Sequence, residues 1–213
     1  IWFNQGEVCC AGSRLLVQAP IAKQLHAKLK LRMQQLRTGS PMDKSIDVGS
    51  LVSQQQFERV ATMVSEGLQA GGEVFQTQSI DAPQNYYPPT LITGVDTSHP
   101  LVQEEIFGPV VSIIPFTTEE DVINMANSTK YGLSASIFTK DVSRAHRVAA
   151  EIDAGIVWVN TWMLRDLRIP FGGMKNSGYG RESGYQAVYD YTRPKTIWVN
   201  TSDEPISNPF VMR

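Results

Sequence analysis

The sequence is poor in cysteine, in net charge and in long apolar runs, and each shortage excludes a class of protein. Its 213 residues include two cysteines, the adjacent Cys9 and Cys10, which cannot form a disulfide framework. The 19 basic and 21 acidic residues leave a net charge of −2, which argues against a nucleic-acid binder with a basic surface. The apolar runs are far shorter than the roughly 20 residues of a membrane helix, and the first residues lack a secretory signal pattern. These features favour a reducing compartment, the cytoplasm, and no membrane partner.

Alternating helix-like and strand-like segments predict an α/β fold with a largely parallel sheet flanked by helices. Hydrophobic residues make up 42% of the chain, enough for a sizeable core. Residue 193 onward forms a polar tail with an edge-strand pattern at 195–200. We expect strands at residues 14–18, 73–75, 90–93, 110–116, 133–139 and 155–160, the last being the most clearly buried. We expect helices at residues 20–36, 54–70, 118–127 and 141–152, with Ser53, Thr118 and Asp141 or Ser143 as N-caps.

Two interpretations compete for Cys9, which lies between glycines in a segment of small residues. Backbone N–H groups in such a turn can lower the pKa of a thiol and stabilise an oxyanion, which suits a nucleophile. Most free cysteines, however, are small buried hydrophobic residues. On spacing alone, the structural interpretation is favoured for both Cys9 and Cys10.

Two further segments carry residue types that bind ligands. In the run EEIFGP of residues 104–109, a carboxylate could accept hydrogen bonds from a ribose diol and the aromatic ring could stack on a flat ligand. The alternative is a solvated acid pair beside a core phenylalanine. Arg165 and Arg168 could clamp a substrate carboxylate, unless Asp166 pairs with one or both of them. The glycine-rich residues 172–184 match neither a Rossmann fingerprint nor a phosphate loop, and no metal site is predicted.

Together these segments resemble the C-terminal, catalytic half of the aldehyde dehydrogenase superfamily. The similarity rests on ordered motifs at the family's spacing: FNQGEVC at residues 3–9, EIFGP at 105–109, Asn160, and PFGG at 170–173 with Ser177 and Gly178. It covers nearly the whole chain and implies a three-layer catalytic domain over residues 1–192. Residues 193–213 would be a C-terminal oligomerisation strand and tail, so the resemblance also implies a homo-oligomer, either a dimer or a tetramer.

The resemblance implies a catalytic role for one thiol and cofactor roles for four other residues. Cys9 aligns with the nucleophile. Glu105 aligns with the acid that holds the nicotinamide ribose, and Phe107 with the aromatic residue beside the nicotinamide. Gln56 and Arg59 fall where the family contacts the adenosine-side ribose. The implied cofactor is NAD, with NADP as the alternative.

Substrate residues follow from the same resemblance. Asn160 and Phe171 line the family's substrate region. Arg165 and Arg168, which follow Asn160, resemble the branch that oxidises 2-aminomuconate or 2-hydroxymuconate semialdehyde. We therefore expect one of these arginines to bind a substrate carboxylate, with simple aliphatic or aromatic aldehydes as the alternative substrates.

The implied reaction is aldehyde oxidation by thiolate attack, hydride transfer to NAD(P)+ and hydrolysis of a thioester. In the family, the dinucleotide-binding domain, an oxyanion-binding Asn and a general-base Glu all precede this region. We therefore expect the chain to be the catalytic half of a longer dehydrogenase and to be inactive alone. One alternative is a natural short form that acts as an interaction module through residues 195–200. A weaker alternative is a thiol hydrolase, which would need His26, His99 or His146 as a base.

Overall fold

The computed structural model describes residues 1–78, 85–205 and 208–211. A short 3-10 helix, Phe3–Gly6, precedes the regular elements. The strands are β1 (Arg14–Gln18), β2 (Glu73–Gln76), β3 (Thr90–Thr93), β4 (Val110–Phe116), β5 (Tyr131–Gly132), β6 (Ser134–Ile137), β7 (Ile156–Val159) and β8 (Met174–Lys175). The helices are α1 (Ala19–Met33), α2 (Gln54–Gln69), α3 (Pro100–Gln103), α4 (Glu119–Asn127), α5 (Val142–Glu151) and α6 (Ala187–Tyr191).

The main sheet has the strand order β1-β4-β3-β2. Strands β1 and β3 flank β4 and run parallel to it, whereas β2 joins β3 in antiparallel fashion. Two smaller sheets pair β5 with β8 and β6 with β7. The largely parallel sheet that the sequence predicts is therefore confirmed.

The two faces of the main sheet carry separate hydrophobic clusters because alternate residues of each strand point to opposite sides. On β4, Val110 and Ile114 belong to the cluster that includes Phe57 of α2, while Val111 belongs to the cluster that includes Met33 of α1. Strand β1 divides in the same way. Helix α2 therefore covers one face and helix α1 the other, which gives the expected three-layer arrangement.

Side-chain caps begin three of the helices, as the sequence predicts. The Ser53 hydroxyl accepts a hydrogen bond from the backbone N–H of Gln56, at the start of α2. Thr118 and Asp121 form a reciprocal capping box on α4, and the Asp141 carboxylate caps α5. Each cap satisfies N–H groups that lack a partner within the helix, so local sequence determines these boundaries.

The prediction for the most buried strand is wrong. Strand β4 is buried from Val110 to Ile114, whereas Ile156 and Val157 of β7 are only half-buried and Val159 is exposed. The physical reason lies in the topology: β4 is paired on both edges inside the main sheet, whereas β7 pairs only with β6. An apolar run therefore predicts that a strand forms more reliably than it predicts how deeply that strand is buried.

The tail differs from the sequence prediction within the single chain. Residues 195–200 are exposed and form no hydrogen-bonded strand, because a strand needs a partner edge. Residues 206, 207, 212 and 213 of the predicted tail lie outside the described residues. None of the helices in the described ranges combines the length and the apolar composition that a membrane span requires.

Candidate active site

The Cys9 loop, residues 3–11, has an unusual backbone that leads directly into β1. Asn4, Gln5 and Gly6 all have positive φ angles, of 48°, 57° and 75°. The Asn4 side chain donates to the Glu7 carbonyl, and the Glu7 N–H donates back to the Asn4 carbonyl. Such a left-handed run is strained for residues with side chains, and it makes the chain turn sharply before Cys9.

The two cysteines have different environments. Cys9 is exposed, whereas Cys10 is 5% exposed and burial raises the pKa of its thiol. The Cys10 thiol donates to the Met163 sulfur at 3.0 Å, and the Cys10 carbonyl accepts from the Trp162 indole N–H at 2.8 Å. Within the described residues, the backbone N–H of Cys9 donates to no protein group. Cys9 is therefore the thiol that an external reagent can reach, with a free N–H beside it.

One cavity of about 350 Å³ brings the distant sequence motifs together. Its lining includes Cys9 from one loop and Glu105 with Phe107 from what we call the Glu105 turn, residues 105–108. Gly6 makes this possible, since a Cβ at Gly6 would lie 2.0 Å from the Gly108 carbonyl oxygen. An exposed thiol, a carboxylate and an aromatic ring thus line one cavity.

The neighbouring glutamates Glu104 and Glu105 have opposite electrostatic environments. The Lys130 ammonium, 2.7 Å from the Glu104 carboxylate, lowers the pKa of Glu104, and the Tyr131 hydroxyl adds a second hydrogen bond. Desolvation raises the pKa of Glu105, against the opposing effect of the Arg59 charge. Glu104 is thus paired within the protein, whereas the Glu105 carboxylate keeps its hydrogen-bonding capacity for a ligand.

Gln56 and Arg59, for which the resemblance implies contacts with the adenosine-side ribose, lie behind the Glu105 turn. Both side chains extend from α2 and donate to backbone carbonyls of the Glu105 turn. Neither residue is part of the cavity lining. The structure brings them to the turn that carries Glu105 and Phe107, but not to the cavity surface.

Asn160 is not brought to the Cys9 cavity. Its amide pairs with the backbone of Thr139, accepting from the N–H at 2.9 Å and donating to the carbonyl at 2.8 Å. Asn160 also has a positive φ of 55° and lines a separate, largely apolar groove beside α5. The amide therefore holds the turn after β7. A sequence motif cannot show this contact, because it depends on the position of Thr139 in the fold.

The two arginines differ in how much of their charge is already paired. Arg168 forms a two-pronged ion pair with Asp166, with its closest contact at 2.6 Å. Arg165 lies over the Phe171 ring at 4.3 Å, and its nearest carboxylate is Glu182 at 3.9 Å. The structural pairing that competed with a substrate role therefore holds for Arg168, whereas the contact of Arg165 with a carboxylate is longer.

The sequence assigned no role to three residues that lie around Cys10 and the start of the Cys9 loop: Phe3, Trp162 and Met163. Trp162 anchors the segment 161–184, which we call the Trp162 segment, to the Cys10 carbonyl. Phe3 packs edge-on against Trp162, with 6.1 Å between the ring centroids. A tryptophan directly after a strand end was the available signal, because a partly buried indole N–H needs an acceptor.

The histidines do not support the thiol hydrolase. None of His26, His99 and His146 lines the cavity with Cys9. The His99 ring instead accepts the N–H of Leu101 at the start of α3, and His146 lines the groove beside α5. A cysteine hydrolase would need a histidine within hydrogen-bond reach of the thiol.

The fold and the site define a class of protein: an α/β domain in which an exposed cysteine lines one cavity together with a carboxylate and an aromatic ring. The sequence model of the aldehyde dehydrogenase family matches residues 1–197. The chain therefore belongs to the aldehyde dehydrogenase family.

Individual relatives agree with this result. The chain is 41% identical over 204 residues to the 2-aminomuconic semialdehyde dehydrogenase of Danio rerio, covering 92% of the chain and 42% of the relative. It is 39% identical over 210 residues to a betaine aldehyde dehydrogenase of Cereibacter sphaeroides, covering 98% of the chain and 43% of the relative. The chain thus spans less than half the length of these curated relatives.

Solved structures show the same fold. An indole-3-acetaldehyde dehydrogenase of P. syringae, a mutant in complex with NAD+ and IAA, superposes with a TM-score of 0.88 at 39% identity and covers 93% of this chain and 41% of its own. A betaine aldehyde dehydrogenase of Staphylococcus aureus in complex with NAD+ gives a TM-score of 0.91 at 34% identity, with 99% and 44% coverage.

Proposed function

We propose that the natural protein oxidises an aldehyde to the acid with NAD+ and that Cys9 is its nucleophile. The observation that carries this proposal is the single cavity shared by Cys9, Glu105 and Phe107. Relatives named as aldehyde dehydrogenases and similar structures in complex with NAD+ support it. Two free cysteines, one of them the nucleophile, suit a reducing compartment, and we assign the reaction to the cytoplasm.

In the proposed mechanism, the Cys9 thiolate attacks the aldehyde carbon and forms a thiohemiacetal. The oxyanion accepts a hydrogen bond from the free backbone N–H of Cys9. NAD, when bound, supplies the acceptor for the hydride that leaves this carbon. Water then hydrolyses the Cys9 thioester and releases the acid and the free thiol. The general base and a second oxyanion donor would come from the part of the relatives' length that this chain does not span.

The residues that would hold the cofactor fit its chemistry. The Glu105 carboxylate can accept hydrogen bonds from both hydroxyls of the nicotinamide ribose, and the exposed Phe107 ring offers a flat surface beside Cys9. A cofactor at this wall would lie next to the thiol, since all three residues line one cavity. We propose NAD over NADP because the similar structures contain NAD+.

The test compares the two cysteines in the natural gene product. We expect Cys9→Ser to abolish NADH formation with aldehydes, because a hydroxyl is a far weaker nucleophile than a thiolate at neutral pH. Cys10→Ser is the matched control and should retain most of the activity, since Cys10 is buried against Met163. Full activity of Cys9→Ser, or equal losses in both variants, would refute the proposed mechanism.

We further propose a carboxylated semialdehyde as substrate, with Arg165 as the residue that binds its carboxylate. The Arg165 guanidinium lies above Phe171 with only a long 3.9 Å contact to Glu182, and this supports the choice, as does the similarity to a 2-aminomuconic semialdehyde dehydrogenase. The similarity to betaine aldehyde dehydrogenases supports the alternative, an aldehyde without a carboxylate.

Arg165→Met and Arg168→Met in the natural protein separate these substrates. A charge-assisted pair contributes about 1.5–3 kcal/mol, so Arg165→Met should lower kcat/KM for 2-hydroxymuconate semialdehyde by roughly 10- to 150-fold. A neutral aldehyde of similar size should lose much less, and Arg168→Met should leave both nearly unchanged. Equal losses on carboxylated and neutral aldehydes would count against Arg165.

A second candidate function rests on the tail. Residues 195–200 expose Ile197, Trp198 and Val199, which are 73%, 92% and 75% accessible in the single chain. Such a segment could pair with the sheet edge of another subunit, as an oligomerisation strand after the catalytic domain of residues 1–192. If the chain purified alone stays monomeric in sedimentation and binds no full-length subunit, the interaction module is excluded.

A further inference from the structure

Helix α2 holds the Glu105 turn through a set of hydrogen bonds from two side chains. The Arg59 guanidinium donates to the Glu105 carbonyl and to the Ile106 carbonyl, both at 2.6 Å. The Gln56 amide nitrogen donates to the Ile106 carbonyl at 2.9 Å and to the Phe107 carbonyl at 2.8 Å. Four bonds thus fix three consecutive peptide groups, and we call this set the α2 clamp.

The turn needs such a restraint because its conformation is unfavourable for its sequence. Phe107 has a φ of +56°, in the left-handed region that aromatic residues rarely adopt. Ile106 before it is 2% exposed, and a Cβ at Gly108 would lie 2.7 Å from a methyl group of Val60 on α2. Strained backbone of this kind persists only where the surroundings hold it, and α2 supplies both the packing and the clamp.

The clamp binds the backbone of residues that line the cavity, but the clamp side chains themselves do not line it. Glu105 and Phe107 both line the cavity with Cys9, and their carbonyls are among the three that the clamp binds. Gln56 and Arg59 use their N–H donors on the backbone and lie outside the lining. The direction of each cavity-facing side chain therefore depends on donors that stand behind it.

We infer that Gln56 and Arg59 are positioning residues for the nicotinamide half of the cofactor rather than contacts of the adenosine-side ribose. They hold the turn that aims Glu105 and Phe107 at the ribose and the nicotinamide ring. This inference rests on the proposed function, because it assigns these roles to Glu105 and Phe107. It reverses the assignment that the family resemblance implies for Gln56 and Arg59.

Fragments of the cofactor distinguish positioning from direct contact. In the natural protein, dissociation constants are measured by calorimetry for NAD+, for nicotinamide mononucleotide and for ADP. Gln56→Glu and Arg59→Met should weaken NAD+ and nicotinamide mononucleotide by the same factor, about tenfold, and leave ADP unchanged, because charge-assisted or paired hydrogen bonds are lost behind the nicotinamide site. Arg59→Lys, which cannot form both guanidinium bonds, should fall between Arg59→Met and the parent.

Gln56→Glu is the sharpest of these variants. A carboxylate cannot donate to the two carbonyls, so the clamp is broken, yet it would still accept hydrogen bonds from a ribose. Weaker binding of nicotinamide mononucleotide supports positioning. Weaker binding of ADP and NAD+ with nicotinamide mononucleotide unchanged, or tighter binding of both, overturns it. Gln54→Glu and Arg32→Met are the matched controls, since both side chains are exposed and, among the described residues, bond to Glu58 and Gln35, on or near their own helices.

Amide hydrogen exchange on the ligand-free protein separates the clamp from the proposed function. Exchange of residues 105–110 should accelerate in Arg59→Met and Gln56→Glu and stay unchanged in Arg32→Met. Unchanged exchange in the first two variants would overturn the clamp whatever the protein binds. If the parent binds neither NAD+, nicotinamide mononucleotide nor ADP, the proposed function fails, while the exchange experiment still decides whether α2 holds the turn.

Discussion

The two walls that flank Cys9 are built in different ways. The Glu105 turn is short, lies against α2 and is held by four side-chain hydrogen bonds to its carbonyls. The Trp162 segment is long, and Leu164, Leu167 and Ile169 within it are 72%, 76% and 61% exposed. Within the described residues, it contacts the Cys9 loop through the bonds of Trp162 and Met163 to Cys10 and through the packing of Trp162 against Phe3.

This difference separates a wall that a helix clamps from a wall that a few side-chain contacts join to the Cys9 loop. A turn clamped by a helix presents Glu105 and Phe107 in one geometry, which suits a ligand that does not vary. Residues 164–169 of the other wall can change their side chains without disturbing the core, because five of these six residues are exposed. The Glu105 turn is therefore the constant wall, whereas Arg165 lies among residues that can be exchanged.

The largest effect should come from Gly6→Ala, which separates the Cys9 loop from the constant wall. The added Cβ would lie 2.0 Å from the Gly108 carbonyl oxygen, at a φ of +75°. Either the loop or the turn must shift, and we expect a loss of about 1–3 kcal/mol in the free energy of unfolding together with loss of NADH formation. Denaturant unfolding and the NADH assay on the natural protein measure both.

Gly12→Ala is the control for this substitution. A Cβ at Gly12 meets no atom within 4 Å, so its effect on unfolding should stay within about 0.5 kcal/mol. An equally small effect of Gly6→Ala would mean that the close approach of the Cys9 loop to the Glu105 turn does not shape the site.

A smaller effect should follow from Trp162→Phe, which removes one anchor of the other wall. The lost bond from the indole N–H to the Cys10 carbonyl is worth about 0.5–1.5 kcal/mol. We expect a KM for the aldehyde that rises severalfold, with an unchanged KM for NAD+. Tyr179→Phe, at a fully exposed position in the same segment, should change neither constant. A rise in both KM values would show that the two walls are coupled.

Local signals in the sequence predicted much of the fold. Ser53, Thr118 and Asp141 marked helix starts because a cap needs only its own first turn. Strand depth was wrong for 155–160, because burial depends on which strands lie beside it, and that is a long-range property. Helix α3 was missed because four residues carry no periodic pattern.

The sequence predicted which residues belong to the site, but not which partner each side chain contacts. Motifs at residues 3–9 and 105–109 pointed to Cys9 and Glu105, and the cavity joins them. Motif order could not reveal that the Asn160 amide pairs with Thr139 or that Asp166 occupies Arg168, since each depends on side-chain geometry. The bonds from Gln56 to the Ile106 and Phe107 carbonyls were hidden for the same reason.

The smallest effect, a pH-dependent change in stability, should distinguish the two adjacent glutamates. Because the pKa of Glu105 is raised, its ionisation opposes folding, and the free energy of unfolding falls as pH rises from the ordinary carboxyl range through the raised pKa. Glu105→Gln should therefore be more stable than the parent at neutral pH, and this gain should vanish in acid. The same variant should bind NAD+ more weakly, since the amide is a poorer partner for a ribose diol.

Glu104→Gln should show the opposite sign. The pKa of Glu104 is lowered by its bond to Lys130, so its contribution to stability is present above the ordinary carboxyl pKa and is lost as pH falls through the lowered value. The variant should be less stable than the parent at neutral pH and equal to it in strong acid. Chemical unfolding of both variants at neutral and acidic pH tests the pair. If both variants changed the free energy of unfolding in the same direction at neutral pH, the two carboxylates would share one environment. That result would contradict a turn in which Glu104 pairs with Lys130 and Glu105 is left for a ligand.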